Sequence, residues 1–142
     1  MQKAIKEAKK GPTEGGIPIG SVLAKGGTVI GRGHNQRVQK GDPTAHAEIE
    51  CLRSAGRIKS YKELTLYSSL MPCYMCAGAI VQFGIKRVVA GELRTYSGGQ
   101  SFMEEHGVEV TNLDNKECYE LLQGFIEQHP DLWKEDIGKL PD

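Results

Sequence analysis

Hydrophobic and polar positions alternate along the chain with two different periods, and the switches between them mark the elements. Residues 1–10 place Ala4, Ile5 and Ala8 at helical spacing, and Gly11-Pro12 is expected to end that segment. IPIGSVLA (17–24) and TVIGRGHN (28–35) read as strands joined at Gly26-Gly27, a hairpin signal. KGDPT (40–44) is a turn leading into a helix, AHAEIECLRSAG, which Gly56 stops. ELTLYSSL alternates as a third strand. PCYMCAGAIVQFG then forms a helix with Pro72 in its first turn and Gly84 at its close. IKRVVAG and GVEVTNL are two further strands, separated by a glycine-containing loop and a short helix, and CYELLQGFIEQ and HPDLWKEDIG are the last two helices. Helices alternating with strands after an opening hairpin predict an α/β fold of three layers, α/β/α, around a mixed central sheet of about five strands.

A length of 142 residues suits one domain spanning the chain. Eighteen basic and eighteen acidic residues cancel, which argues against a phosphate backbone as the main partner, since such binding draws on clustered Lys and Arg. No apolar run reaches the ~18 residues a membrane helix needs, so no membrane partner is expected. The charged N-terminus MQKAIKEAKKG lacks the apolar core of a signal peptide, so a cytoplasmic location is expected, with the four cysteines as thiols or metal ligands.

Cys73 and Cys76 stand one helical turn apart at a helix start, where free backbone N–H groups and the helix dipole favour thiolates. Two thiolates do not complete a zinc site. In PTAHAEIE, His46 and Glu48 lie near the start of the preceding helix, again just behind a proline. If both helices begin at one edge of the sheet, His46 meets Cys73 and Cys76, giving three ligands and one open position, the catalytic pattern for zinc. Ideal helix geometry points Glu48 roughly 200° away from His46, a conflict only an irregular first turn relieves. Two thiolates and a neutral imidazole leave zinc with no formal net charge, so its water is weakly polarised, and a carboxylate such as Glu48 would supply the proton transfer. A structural zinc knuckle and a redox pair are the bland alternatives, but no second cysteine pair exists and Glu48 would be idle in either.

His-x-Glu followed by Pro-Cys-x-x-Cys, here His46-Ala47-Glu48 and Pro72-Cys73-Tyr74-Met75-Cys76, is the signature of zinc-dependent nucleobase deaminases. The chain resembles the cytidine deaminase superfamily nearly end to end. It is most similar to fungal-type cytosine deaminases in EGGIPIG, GRGHNQRVQKG, TLYSSLMPCYMCAGAI and the tail FIEQHPDLWKEDIG. The resemblance implies one zinc per subunit on His46, Cys73 and Cys76, and Glu48 as the proton shuttle. It implies that Asn35 and the backbone N–H of Ala47 bind the ring edge away from the amine, with Asp136 near the amine. Tyr96 and Trp133 would wall the ring, with Ile19 and Met71 also at the pocket. Residues 129–142 would cover the site, and the enzyme would be a homodimer. Met71, Ala47 and Lys134 depart from the fungal pattern and are expected at or near the pocket.

On pattern alone, Asn35 is also a turn residue, Tyr96 and Trp133 are as much packing as pocket, and Asp136 equally caps the last turn. Cys51 and Cys118 read as small core groups, and His34, His106 and His129 as surface or packing residues. The expected reaction is hydrolysis of cytosine to uracil and ammonia, extending to 5-substituted cytosines. A second reading changes the ring to guanine, a nucleoside or a cyclic guanidine. A third is a tRNA adenosine deaminase, against which the acidic tail DLWKEDIGKLPD argues, and a non-enzymatic zinc module is a fourth.

Overall fold

Strands β1 (Gly20–Lys25) and β2 (Thr28–His34) form the expected hairpin, turning on Gly26 and Gly27, both at positive φ (53° and 85°). A computed structural model describes residues 1–140, so the last two residues of the segment 129–142 lie outside the described residues. Strands β3 (Thr65–Ser68), β4 (Arg87–Ala90) and β5 (Glu109–Asn112) complete a five-stranded sheet in the order β2-β1-β3-β4-β5. β1 is antiparallel to both its neighbours, and β3, β4 and β5 are parallel.

This register positions the chemistry. Since β2 and β3 both oppose β1, they run in the same direction. The helices that follow them, α4 (Ala47–Ala55) and α5 (Tyr74–Phe83), therefore start at one edge of the sheet. Helices lie on both faces. A Cβ on Gly33 would press into the backbone of α4, and one on Gly20 would collide with Ala4 and Ala8 of α1 (Gln2–Ala8), so the sheet is bare where each helix backbone approaches it. Leu23, Leu66, Ile80, Val88 and Met103 centre the main core under α4, α5 and α6 (Gln100–Glu105). A second cluster gathers Ile17, Ile19, Leu70, Leu122, Phe125 and Trp133, seating α7 (Lys116–Gln128) and α8 (Pro130–Asp136) beside the edge where α4 begins.

Three local expectations are corrected. Gly11-Pro12 does not end the helical region but lies within a short helix, α2 (Lys10–Thr13), because a proline in a first turn lacks only an N–H that would have no partner there. A one-turn helix, α3 (Arg37–Lys40), follows Asn35 in a stretch without an apolar period to reveal it. Pro72 stands outside α5, since the residue after it, Cys73, is still extended (φ −69°, ψ 178°) and is the N-cap. Among the described residues, no helix is long and apolar enough to cross a membrane.

Candidate active site and metal centre

His46 and Cys73 occupy equivalent positions, each the extended N-cap residue of its helix, and neither side chain is engaged in capping. Both are free to point beyond the helix ends toward each other. Cys76 joins them from the first turn of α5. Nδ1 of His46 lies 3.5 Å from Cys73 Sγ and 3.8 Å from Cys76 Sγ, and one ligating atom from each residue lies within 4.8 Å of the others. Tetrahedral zinc, with bonds of about 2.3 Å to sulfur and about 2.0–2.1 Å to nitrogen, separates such atoms by roughly 3.5–3.8 Å. The donor set and its spacing fit that metal. The loop before α5 is held by the Met71 N–H donating to the Glu92 carbonyl and the Gly99 N–H donating to that of Pro72, both at 2.8 Å.

The extended backbone of His46 (φ −73°, ψ 158°) resolves the conflict over Glu48, because helical angles do not apply across the cap. Glu48 is buried (4% exposed), lines the same cavity as His46 and Cys73, and accepts a hydrogen bond from Ser68 Oγ at 2.6 Å.

The charges interlock. The hydrogen bond from Cys76, against the cost of burial, holds the Cys73 thiol down to about 4, with His46 adding to the effect. Cys76, donating to that thiolate and itself buried, is held well above the usual thiol range. Burial would lower His46, but Asp136 and Cys73 beside it push it up to about 10. Burial, then the charge of Cys73, raises the Glu48 carboxyl above the usual carboxylate range. Four acidic groups thus crowd one imidazole in a mostly buried space, which a bound cation would balance.

The cavity has a volume of about 270 Å³. Ile19, Ala47 and Met71 form apolar wall, and Ala47, as the first residue of α4, carries one of the helix N–H groups without an intrahelical partner. Tyr96 and Trp133 also line it, in edge contact with ring centroids 6.4 Å apart, so they serve packing and pocket together. Asn35 is likewise both a turn residue and a pocket residue. Its Oδ1 accepts from the Arg37 N–H at 3.0 Å, while its buried Nδ2 has no partner. Asp136 Oδ1 lies 3.3 Å from His46 Nε2, an ion-pair distance, and is a buried acceptor with no hydrogen-bond donor among the described residues. Among the described residues, the cavity lining therefore carries one unpaired buried side-chain donor and one unpaired buried acceptor.

Lys134 corrects an expectation: it is exposed on α8 and lies outside the cavity lining. Cys51 and Cys118 are buried, as expected. Sequence reasoning missed Ser21 and Ser68 around Glu48. It also missed Arg37, which reaches Glu135 (3.1 Å) and Asp136 (3.7 Å) on α8, and fully buried Glu92, whose Oε2 accepts the Thr95 N–H at 2.9 Å beside Tyr96. Only strand pairing and loop packing bring these residues to the site.

Residues 1–92 match the family described as the cytidine and deoxycytidylate deaminase zinc-binding region, a span that contains His46, Glu48, Cys73 and Cys76. The chain is 47% identical over 142 residues to a cytosine deaminase of Candida albicans, covering 98% of this chain and 95% of that protein. It is 39% identical over 141 residues to a tRNA-specific adenosine deaminase of Haemophilus influenzae, covering 90% and 82%. A solved structure from a study of A-to-I editing by tRNA:A34 deaminases superimposes with a TM-score of 0.75 at 33% identity, covering 86% of this chain and 97% of that one. Signature, geometry and relatives agree: the chain belongs to the zinc-dependent cytidine and deoxycytidylate deaminase family and is a hydrolase of C–N bonds.

Proposed function

We propose that this protein hydrolyses free cytosine to uracil and ammonia, and that the pair of unpartnered polar atoms in its cavity recognises the ring. Asn35 Nδ2 can only donate and Asp136 Oδ1 only accept. Cytosine offers a carbonyl oxygen on one side and an exocyclic amine on another, the complementary pair. In this reading, Asn35 and the Ala47 N–H hold the carbonyl edge, Asp136 accepts from the amine, and Tyr96 and Trp133 enclose the faces. The cavity, about 270 Å³, falls just below the range of drug-sized ligand pockets, ~300–1,000 Å³, and suits a single small ring.

His46, Cys73 and Cys76 would hold the zinc. When bound, the metal supplies Lewis acidity and makes water a nucleophile near neutral pH. Glu48 takes a proton from the attacking water and delivers it to the ring nitrogen N3 as the C4–O bond forms. It then takes the proton of the new C4 hydroxyl and passes it to the amine, the C4–N bond breaks as the C4 carbonyl forms, and uracil and ammonia leave. The site's depth, with Glu48 and Asn35 almost fully buried, favours a ring bound without bulk water.

The same reading makes residues 1–142 one domain whose 129–142 segment covers the site. Support comes from Trp133 and Asp136 of α8, both in the cavity lining. A site walled by the chain's own tail favours this reading over the tRNA-directed one. A homodimer accords with the exposed apolar side chains Tyr74, Phe83 and Phe102 on α5 and α6. The free thiols of Cys51 and Cys118 accord with a reducing cytoplasm.

Ammonia release by zinc-loaded protein, measured across cytosine, 5-fluorocytosine, guanine, cytidine and tRNA, tests the substrate. Turnover of cytosine is expected; no turnover of cytosine with turnover of another substrate overturns the proposal.

A further inference from the structure

We propose that Ser21 and Ser68 are positioning residues that lock the rotation of the Glu48 carboxylate and so fix which oxygen handles the proton. The inference rests on Glu48 as the proton carrier and deepens it. Ser21, the second residue of β1, and Ser68, the last of β3, are direct partners across the antiparallel pair. Gly33 pairs with Ser21 from the other side, and its lack of a side chain lets α4 lie close against this part of the sheet. Both serines are 0% exposed. β1 and β3 thus present two hydroxyls to the first turn of α4, where Glu48 sits.

Ser68 Oγ lies 2.6 Å from Glu48 Oε1, in the range of a charge-assisted O–H···O bond. Ser21 Oγ lies 3.2 Å from that same Oε1 and 3.2 Å from Ser68 Oγ. Each hydroxyl has one proton. Ser68 donates to Oε1, and Ser21 donates either to Oε1 directly or into the oxygen of Ser68, which strengthens the bond Ser68 makes. In both arrangements Oε1 is the oxygen engaged by the sheet, which leaves Oε2 for the cavity Glu48 lines.

The terminal torsion of a glutamate is broad when nothing holds it. A general base works only within hydrogen-bond reach of its proton, and a ~1 Å misplacement can cost ~10²-fold in rate. A purely structural role for the serines, as partners for a buried carboxylate, predicts something else: lost stability with the chemical step intact.

The test uses zinc-loaded Ser68→Ala, Ser21→Ala and Ser68→Thr, with Glu48→Gln as benchmark. Zinc content, Tm, uracil affinity, kcat and KM for cytosine are measured for each. Ser68→Ala is expected to lower kcat by ~10–100-fold, with KM and uracil affinity within ~2-fold and zinc at parity. Ser68→Thr, which keeps the hydroxyl, should restore most of the rate. Ser21→Ala should lower kcat by ~3–10-fold, and it gives an independent reading if Ser68→Ala folds poorly. Alanine variants that keep kcat within ~2-fold while Glu48→Gln is inactive overturn this inference alone, and a fall in Tm without a fall in kcat does the same. An active Glu48→Gln protein overturns the reading of Glu48 and this inference with it.

Discussion

His46 turns its two ring nitrogens to different partners: Nε2 lies 3.3 Å from Asp136 Oδ1, while Nδ1 faces the sulfurs of Cys73 and Cys76 at 3.5 and 3.8 Å. The carboxylate favours the proton on Nε2, which leaves the Nδ1 lone pair for a metal. Asp136 is the last residue of α8, and Arg37 approaches it at 3.7 Å. One imidazole therefore links the metal-binding end of the site to the helix that lies over it.

Asp136→Ala is expected to weaken zinc binding by ~10–100-fold, the usual consequence of removing a partner that orients a ligating histidine. Competition against a chromophoric chelator measures this. Unchanged affinity would mean that Asp136 serves the substrate only.

Asn35→Ala removes the unpaired Nδ2 donor and the turn contact to the Arg37 N–H together. A buried donor matched to a ligand carbonyl is worth ~1–3 kcal/mol, so kcat/KM for cytosine should fall ~10–100-fold. Steady-state kinetics checks the rate. Wild-type kinetics in this variant would exclude the carbonyl contact.

The metal-ligand set was legible because its information is local: two prolines, two helix starts and a three-residue cysteine spacing, each readable without tertiary structure. The sheet class was legible for the same reason, from the switch between periods of two and 3.6. Ser21 and Ser68 were not. They stand 47 positions apart and become neighbours only through the β1–β3 register, which no local pattern encodes. Arg37 was hidden in a one-turn helix without apolar periodicity. Glu92 is a charged residue that only tertiary packing buries completely, and no local pattern signals it.

Trp133 is the single tryptophan of the chain, so it reports on α8 directly. Adding uracil to the zinc-loaded protein should change its fluorescence, because Trp133 lines the cavity. Arg37→Gln, which releases Glu135 and Asp136 from their partly buried ion pairs, should raise KM by about 2–5-fold, consistent with contributions of ~1 kcal/mol or less. A fluorescence signal insensitive to ligand would contradict closure of the tail over the ring.

The four thiols divide into two pairs. Burial, with the charge of Glu48 nearby, pushes Cys51 up to about 12, and burial, with Glu92, pushes Cys118 up to about 11. Neither should react with iodoacetamide in the folded protein near neutral pH. Alkylation followed by mass spectrometry should therefore find almost no label with zinc bound, and label on Cys73, the thiol held low, after chelation. Early labelling of Cys51 or Cys118 would show that the core opens more readily than its packing implies.

The most direct test of the account is the Glu48→Gln protein. It should retain zinc at one ion per chain by elemental analysis and lose cytosine turnover by at least ~10²–10⁴-fold, the span general acid–base catalysis contributes. Turnover near wild type with zinc in place would contradict it.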